Sequence, residues 1–214
     1  MKKISRTYGG VDASTRKNER RKKLIEAGIE AFGTKGYAKT NIKTICALAG
    51  LTERYFYESF SNKEDLLYTI YRELIDEQQR EAIELLSELD SDPIQTATKA
   101  TEMFYHRFKI DPRIARIQLF EVLGVSQRID QAYRDAIRLL SEMVKLFLLR
   151  IFPGIPQEKL NNSIIPTGIA GSMIMIAYDW VLGGFVMPID DIIGQSMYYF
   201  MIIGKHLDAG HDHS

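Results

Sequence analysis

Cysteine is almost missing from this sequence: there is one in 214 residues, Cys46. No intramolecular disulfide can form, and a chain of this size without one is expected in a reducing, cytoplasmic setting. Runs of alternating β-branched residues bounded by turns are absent, so no strand is expected. There is no Gly-rich phosphate loop and no repeat of fixed period. No nucleophile, base or metal-ligand set occurs at informative spacing, so neither an enzyme nor a metal or cofactor is expected. The N-terminal stretch "MKKISRTYGGVDASTRKNERRKK" is basic but has no apolar run behind it, unlike a secretory signal.

Net charge is also absent, with 28 basic and 28 acidic residues. The balance is uneven, however. Residues 1–64 hold 14 Lys and Arg against 7 Asp and Glu, which leaves 14 against 21 for the remainder. A basic head on an acidic body points to a polyanionic partner for the head alone.

What is present is helical periodicity. Residues 1–15 are polar, contain Gly9-Gly10, and read as a disordered basic arm. A helix pattern starts near Arg16, with Leu24, Ala27, Gly28, Ala31 and Phe32 on one face, and Gly36 ends it. Thr40 is the expected cap of a second helix over about Asn41 to Ala49, with Ile42, Ile45 and Cys46 inward. Gly50 breaks that helix, and Thr52 caps a third that ends near Phe60. Ser61 and Glu64 form a Ser-x-x-Glu box that opens a long fourth helix. The Pro residues of "SDP" at 91–93 and "DP" at 111–112 open further helices. "FPGIP" at 152–156 reads as a loop. The total is about nine helices.

One apolar run, Ile164 to Met187, carries Asp179 as its only charge and is long enough to span a bilayer. Pro166, Thr167, Ser172 and the Gly183-Gly184 pair interrupt it, and no basic cluster flanks it. A helix apolar nearly all round needs cover on both sides, and a second copy of the chain is the simplest cover. Residues 190–207 repeat the theme with Ile192, Ile193, Met197, Phe200 and Met201. Helices near 163–187 and 190–207 are therefore expected to build a homodimer as a four-helix bundle, not to enter a membrane.

The stretch "LAGLTERYFYESFSNK" at 48–63 places Arg54, Tyr55 and Tyr57 on one short helix after a Gly turn. With Phe56 and Phe60 inward, the others face outward or sideways. Two short helices about a Gly turn, preceded by a basic helix, outline a helix-turn-helix. Arg pairs bidentately with guanine edges, and a Tyr hydroxyl can bond phosphate. Cys46 fits as a small buried residue at the helix crossing, not as a reactive thiol. The tail "HLDAGHDHS", with His206, His211 and His213, reads as solvated, and His106 reads as a helix-surface or satisfied core histidine rather than a metal ligand.

At these residues the chain resembles a known family. Ala31-Phe32, Gly36-Tyr37, Thr40, Ile45, Ala49-Gly50-Leu51-Thr52, Phe56-Tyr57, Phe60 and Lys63-Glu64 match the DNA-binding domain of the TetR family of transcriptional regulators. The resemblance covers about the first third of the chain. It implies an all-α protein: a helix-turn-helix domain at 16–62, a ligand-binding and dimerisation domain at 63–208, and a disordered tail at 209–214. It also implies that Thr40, Thr52, Tyr57 and Lys63 contact phosphates and that Arg54 and Tyr55 face bases. Ser59 stands where a phosphate-contacting His or Tyr is frequent. Glu53 and Glu58 put acids on the helix that meets DNA, so attraction must come from Arg16 to Lys23, Lys39, Lys43 and the arm.

For the body, the resemblance implies a pocket for a small apolar or amphipathic effector. Phe104, Tyr105, Phe108, Phe120, Glu121, Met143, Phe147, Met175, Tyr178 and Asp179 are its candidate lining, with Tyr105, His106, Glu121, Tyr178 and Asp179 as polar anchors. The expected function is a homodimeric, effector-responsive repressor on a near-palindromic double-stranded operator. The alternative is a dimeric DNA-binding regulator with no effector.

Overall fold

The computed structural model describes residues 10–87, 92–161 and 163–209. Among these, ten α-helices and one π-helical turn form, and no strand does. Helix α1 spans Gly10–Lys35, α2 Ile42–Ala49, α3 Glu53–Tyr57 and α4 Lys63–Leu86. Helix α5 is Pro93–Ile110, α6 Pro112–Arg116, the π turn Ile117–Glu121 and α7 Gln127–Ile151. Helix α8 is Gln157–Asn161, α9 Ile165–Leu182 and α10 Ile189–Ala209.

Helix α1 starts at Gly10, ahead of the Arg16 expected, so residues 10–15 of the expected disordered arm are helical. Extending an existing helix costs far less than starting one, even through weak formers such as Gly10, Val11, Asp12, Ser14 and Thr15. Residues 1–9 and the tail beyond 209, with His211 and His213, lie outside the described residues. Of the segment taken for tail, Ala209 still belongs to α10. Among the described residues no cluster of His, Cys, Asp and Glu could hold a metal.

Two expected caps are displaced by one residue. Asn41 caps α2 by accepting from the Thr44 N–H at 2.9 Å, and Asn62 caps α4 by accepting from the Asp65 N–H at 2.8 Å. Asp65 in turn accepts from the Ser61 N–H at 3.1 Å, one residue before the cap, so Asn62 and Asp65 close the helix start in place of the expected Ser61-x-x-Glu64 box. Asn competes at least equally with Ser and Thr for an N-cap, and here it stands one residue nearer the helix. The freed Thr40 is buried, and its hydroxyl donates to the carbonyls of Gly36 and Ala31.

The head packs α1, α2 and α3 over Leu24, Phe32, Ile45, Cys46, Phe56 and Phe60. That core continues along α4 through Leu66, Leu67, Ile70 and Leu74 to Ile117, Val122 and Ile129. The domain boundary expected at residues 62–63 therefore meets no break in packing. Two further cores fill the body. One lies around Phe147, Leu148, Phe152 and Phe200, the other around Tyr105, Phe108 and Trp180. Gly204 lets α10 lie against the Phe152 ring, since a Cβ there would meet ring carbon Cε2.

Helix α9 is long and apolar enough to cross a membrane by length and composition, yet only 28% of it is buried within the chain. Met175, Leu182, Tyr198 and Ile202 leave large apolar surface exposed on α9 and α10. Cβ atoms built at Gly168, Gly171 and Gly194 would meet nothing.

Candidate nucleic-acid interface and body cavity

Helix α3 has five residues, too short to stand on its own hydrogen bonds. It is held from below. Phe56 is fully buried, Phe60 nearly so, and their rings lie 5.7 Å apart. Gly50 makes the preceding turn with φ 63°, a left-handed conformation that L side chains rarely adopt. What remains outward is Arg54, whose side chain is 85% exposed, and Tyr57, 57% exposed. Arg54 Nε pairs with Glu58 at 3.3 Å, which orients it without removing it from solvent. Thr52 occupies the N-cap position but makes no side-chain cap bond. Its hydroxyl is exposed, as are Lys43 and Glu53.

Helix α1 braces this surface. The Arg20 guanidinium lies 4.4 Å over the Tyr55 ring and within 3.7 Å of Glu58. Arg21 lies 4.5 Å over the Phe60 ring and donates to the Ser59 carbonyl at 3.3 Å. Tyr55 is thus half-covered by Arg20 instead of standing clear as a base reader. Arg20 and Arg21 are packing cations, so the unpaired basic field of the head falls to residues such as Lys17, Lys22, Lys23, Lys39 and Lys43, all exposed.

Two residues assigned to phosphate by resemblance are engaged elsewhere. Thr40 is buried, as described above. Lys63 Nζ donates to the carbonyls of Tyr37 and Thr40, both at 2.8 Å, and lies 4.0 Å over the Tyr37 ring. Burial lowers its pKa. Lys63 therefore ties α4 to the turn after α1. Lys63→Met keeps the stem but strips both carbonyls of their donor. A loss of about 1–3 kcal/mol in chemical denaturation is expected, with no change in helix content before the transition.

The body holds a half-open cavity of about 380 Å³ between α4, α5, the π turn, α7, α9 and α10. Of the candidate lining, Phe104, Phe108, Met143 and Phe147 are brought together there. The others lie off it. Tyr105 is fully buried behind the wall, its hydroxyl 2.9 Å from Ser196 Oγ and its pKa pushed up to about 12 by burial. Phe120 and Tyr178 stack on each other at 4.5 Å. Met175 and Asp179 point to solvent, one helical step round α9 from the wall residues Ile174 and Ile176. Glu121 leaves the body altogether: its carboxylate accepts from the Tyr37 N–H at 2.7 Å and from Arg116 Nε at 2.9 Å.

Sequence reasoning named none of the polar wall, which includes Gln78, Arg107, Gln118, Tyr71 and Tyr133 beside Glu81 and Glu142. Burial raises the pKa of both tyrosines, so both stay neutral hydroxyls. Arg107 is paired with Glu81 and, at 3.7 Å, with Glu77. The one available signal was Gln118, a lone amide among apolar neighbours in "RIQLF".

Comparison with known proteins places this geometry. The sequence profile of bacterial regulatory proteins, tetR family, matches residues 24–70. The HTH-type transcriptional regulator TtgR of Pseudomonas putida is 31% identical over 99 residues, covering 46% of this chain and 47% of TtgR. The chain thus spans about half the length of the curated relatives it matches. Two solved structures share the fold. A TetR-family transcriptional regulator from Bordetella parapertussis has TM-score 0.67 at 18% identity, covering 84% of this chain and 93% of its own. The transcriptional regulator FadR from Bacillus subtilis, solved with stearoyl-CoA, has TM-score 0.66 at 14% identity, covering 83% and 96%. Residues 24–70 thus match the tetR family of bacterial regulatory proteins, and the helical body behind them shares the fold of the two solved structures.

Proposed function

We propose that the protein is a DNA-binding transcriptional regulator, a repressor that holds a near-palindromic operator as a homodimer and releases it when a small apolar effector fills the body. The observation that carries this reading is α3. It presents Arg54 and Tyr57 to solvent on a helix whose other face is locked by Phe56 and Phe60. Arg54 reads a base edge, Tyr57 and Thr52 meet the backbone, and the exposed lysines of α1 and α2 add sequence-independent attraction. Glu53 and Glu58 limit that attraction at α3 itself, which favours readout over non-specific grip.

The exposed apolar faces of α9 and α10 supply the dimer contact, with the open glycines permitting close approach. The cavity supports an effector over the reading without one. FadR from Bacillus subtilis holds stearoyl-CoA on this fold. Here Arg107, the only Lys or Arg of the cavity lining among the described residues, is paired with carboxylates, so an anionic effector is disfavoured.

Alanine substitutions in α3 test the reading. Arg54→Ala is expected to weaken operator binding about tenfold to a hundredfold and to relax one position in each half-site. Tyr57→Ala should weaken all sequences alike. Equal binding of both variants and wild type to a selected operator, by fluorescence anisotropy, would remove α3 as the reader.

A further inference from the structure

Gln118 is 5% exposed, and its side chain sits on the π turn, in the wall of the cavity. Its amide oxygen accepts from Gln78 Nε2 at 2.9 Å, while its own Nε2 is buried with no partner among the described residues. A buried amide N–H without an acceptor is costly to leave so, and proteins seldom retain one without a use. The surrounding wall offers apolar contact from Leu119, Phe104, Phe108 and Met143. Of the charged wall groups Glu81, Arg107 and Glu142, the cation Arg107 is paired with Glu81 and with Glu77.

We propose that Gln118 is the polar anchor of the effector, and that the effector is a neutral, mainly apolar molecule carrying one hydrogen-bond acceptor such as a ketone, ester or amide oxygen. This rests on the reading of the body as an effector site. An anionic head would face the excess carboxylate around Arg107 and find no free cation. A pure hydrocarbon would leave the Gln118 N–H unpaired. A neutral acceptor satisfies both constraints, and the bond forms in a site of low dielectric where it discriminates strongly. The anchor is also placed to matter. Three residues along the same π turn, Glu121 holds the Tyr37 N–H and Arg116, and Arg116 Nη1 donates to the Thr34 carbonyl at 2.9 Å. The turn that meets the effector is the turn that holds the head.

The test uses the full chain and two fluorescent probes. Prodan is a neutral naphthalene with one ketone, and 2-(dimethylamino)-6-propylnaphthalene is its counterpart with a methylene in place of the carbonyl. Wild type should bind prodan about tenfold more tightly than the amine, the discrimination expected of one buried hydrogen bond. The carbonyl stretch of bound prodan should lie at its hydrogen-bonded frequency. Gln118→Leu and the near-isosteric Gln118→Met should each erase that preference, return the stretch to its unbonded value, and leave amine binding within about twofold, since the amine takes no hydrogen bond from Gln118. Equal binding of both probes by wild type, unchanged in both variants, would overturn the anchor while leaving the cavity as an effector site. Prodan binding that survives Met143→Trp, which fills the cavity, would place the probe on the exposed apolar faces and overturn the anchor together with the cavity as its site. If wild type binds neither probe, the effector reading itself falls and the anchor with it.

Discussion

Met175→Glu combined with Tyr198→Glu should convert the protein to a monomer. Met175 is 63% exposed and Tyr198 69% exposed, so neither substitution disturbs the core of the chain. In the proposed dimer both would be buried, and a carboxylate buried without a partner costs several kcal/mol. Two such groups per subunit exceed what an ordinary interface of about 800 Å² per partner can absorb. The dimer dissociation constant is expected to rise at least about a thousandfold, the equivalent of roughly 4 kcal/mol. Sedimentation velocity reads the mass, and circular dichroism should remain that of wild type. Operator affinity should fall in parallel, because one head binds only a half-site. A double variant that stays dimeric would place the interface elsewhere.

Gly33→Val should be the most damaging single substitution at the junction of head and body. A Cβ at Gly33 would lie 2.4 Å from Arg113 Cβ, 2.7 Å from its Cα and 2.9 Å from its carbonyl oxygen. Two of those three atoms belong to backbone, so the neighbour cannot turn away as a flexible side-chain tip could. Either α6 lifts off α1 or the helices distort. Lifting α6 also strains the ion pairs of Arg113 with Glu30 at 2.9 Å and Glu26 at 3.2 Å. A loss of about 3 kcal/mol is expected, which in a chain of this size lowers the melting temperature by roughly 6–12 °C. Gly33→Ala is the informative companion. Alanine is the better helix former by about 1 kcal/mol, so a net loss there isolates the steric term. Melting of Gly33→Val within about 1 °C of wild type would contradict the close approach of α1 and α6.

These cases show where sequence reasoning reaches and where it stops. The inward set of the head follows from periodicity and volume, and Ile45, Cys46, Phe56 and Phe60 are all buried. Aspartates before prolines mark helix starts, and Asp92 and Asp111 are the caps of α5 and α6. The displaced caps at Asn41 and Asn62 show that adjacent capping residues compete, and a motif alone does not decide which one wins. Helix α8, with five residues after Pro156, is too short for periodicity to reveal, which is one reason the count rises from nine to ten.

The cavity was least legible. Aromatics and methionines mark apolar interior but not which of them face a void, and one helical step separates a wall residue from Met175 at the surface. Glu121 looked like a pocket acid because its neighbours in sequence are apolar. Its partner Tyr37 lies 84 residues away, and no local pattern carries that contact. Thr40 and Lys63 fit the phosphate-contacting pattern, yet in this chain their polar groups close the turn between α1 and α2.

The most direct measurement is selection of bound duplexes from a random DNA pool by the purified protein at about 0.15 M salt, where non-specific attraction is weakened. The expected result is an enriched inverted repeat with half-sites one helical turn of DNA, roughly 34–36 Å, or a multiple of it apart. In that repeat Arg54→Ala relaxes one position per half. A folded, dimeric protein that enriches no sequence would contradict the assignment of α3 as an operator reader.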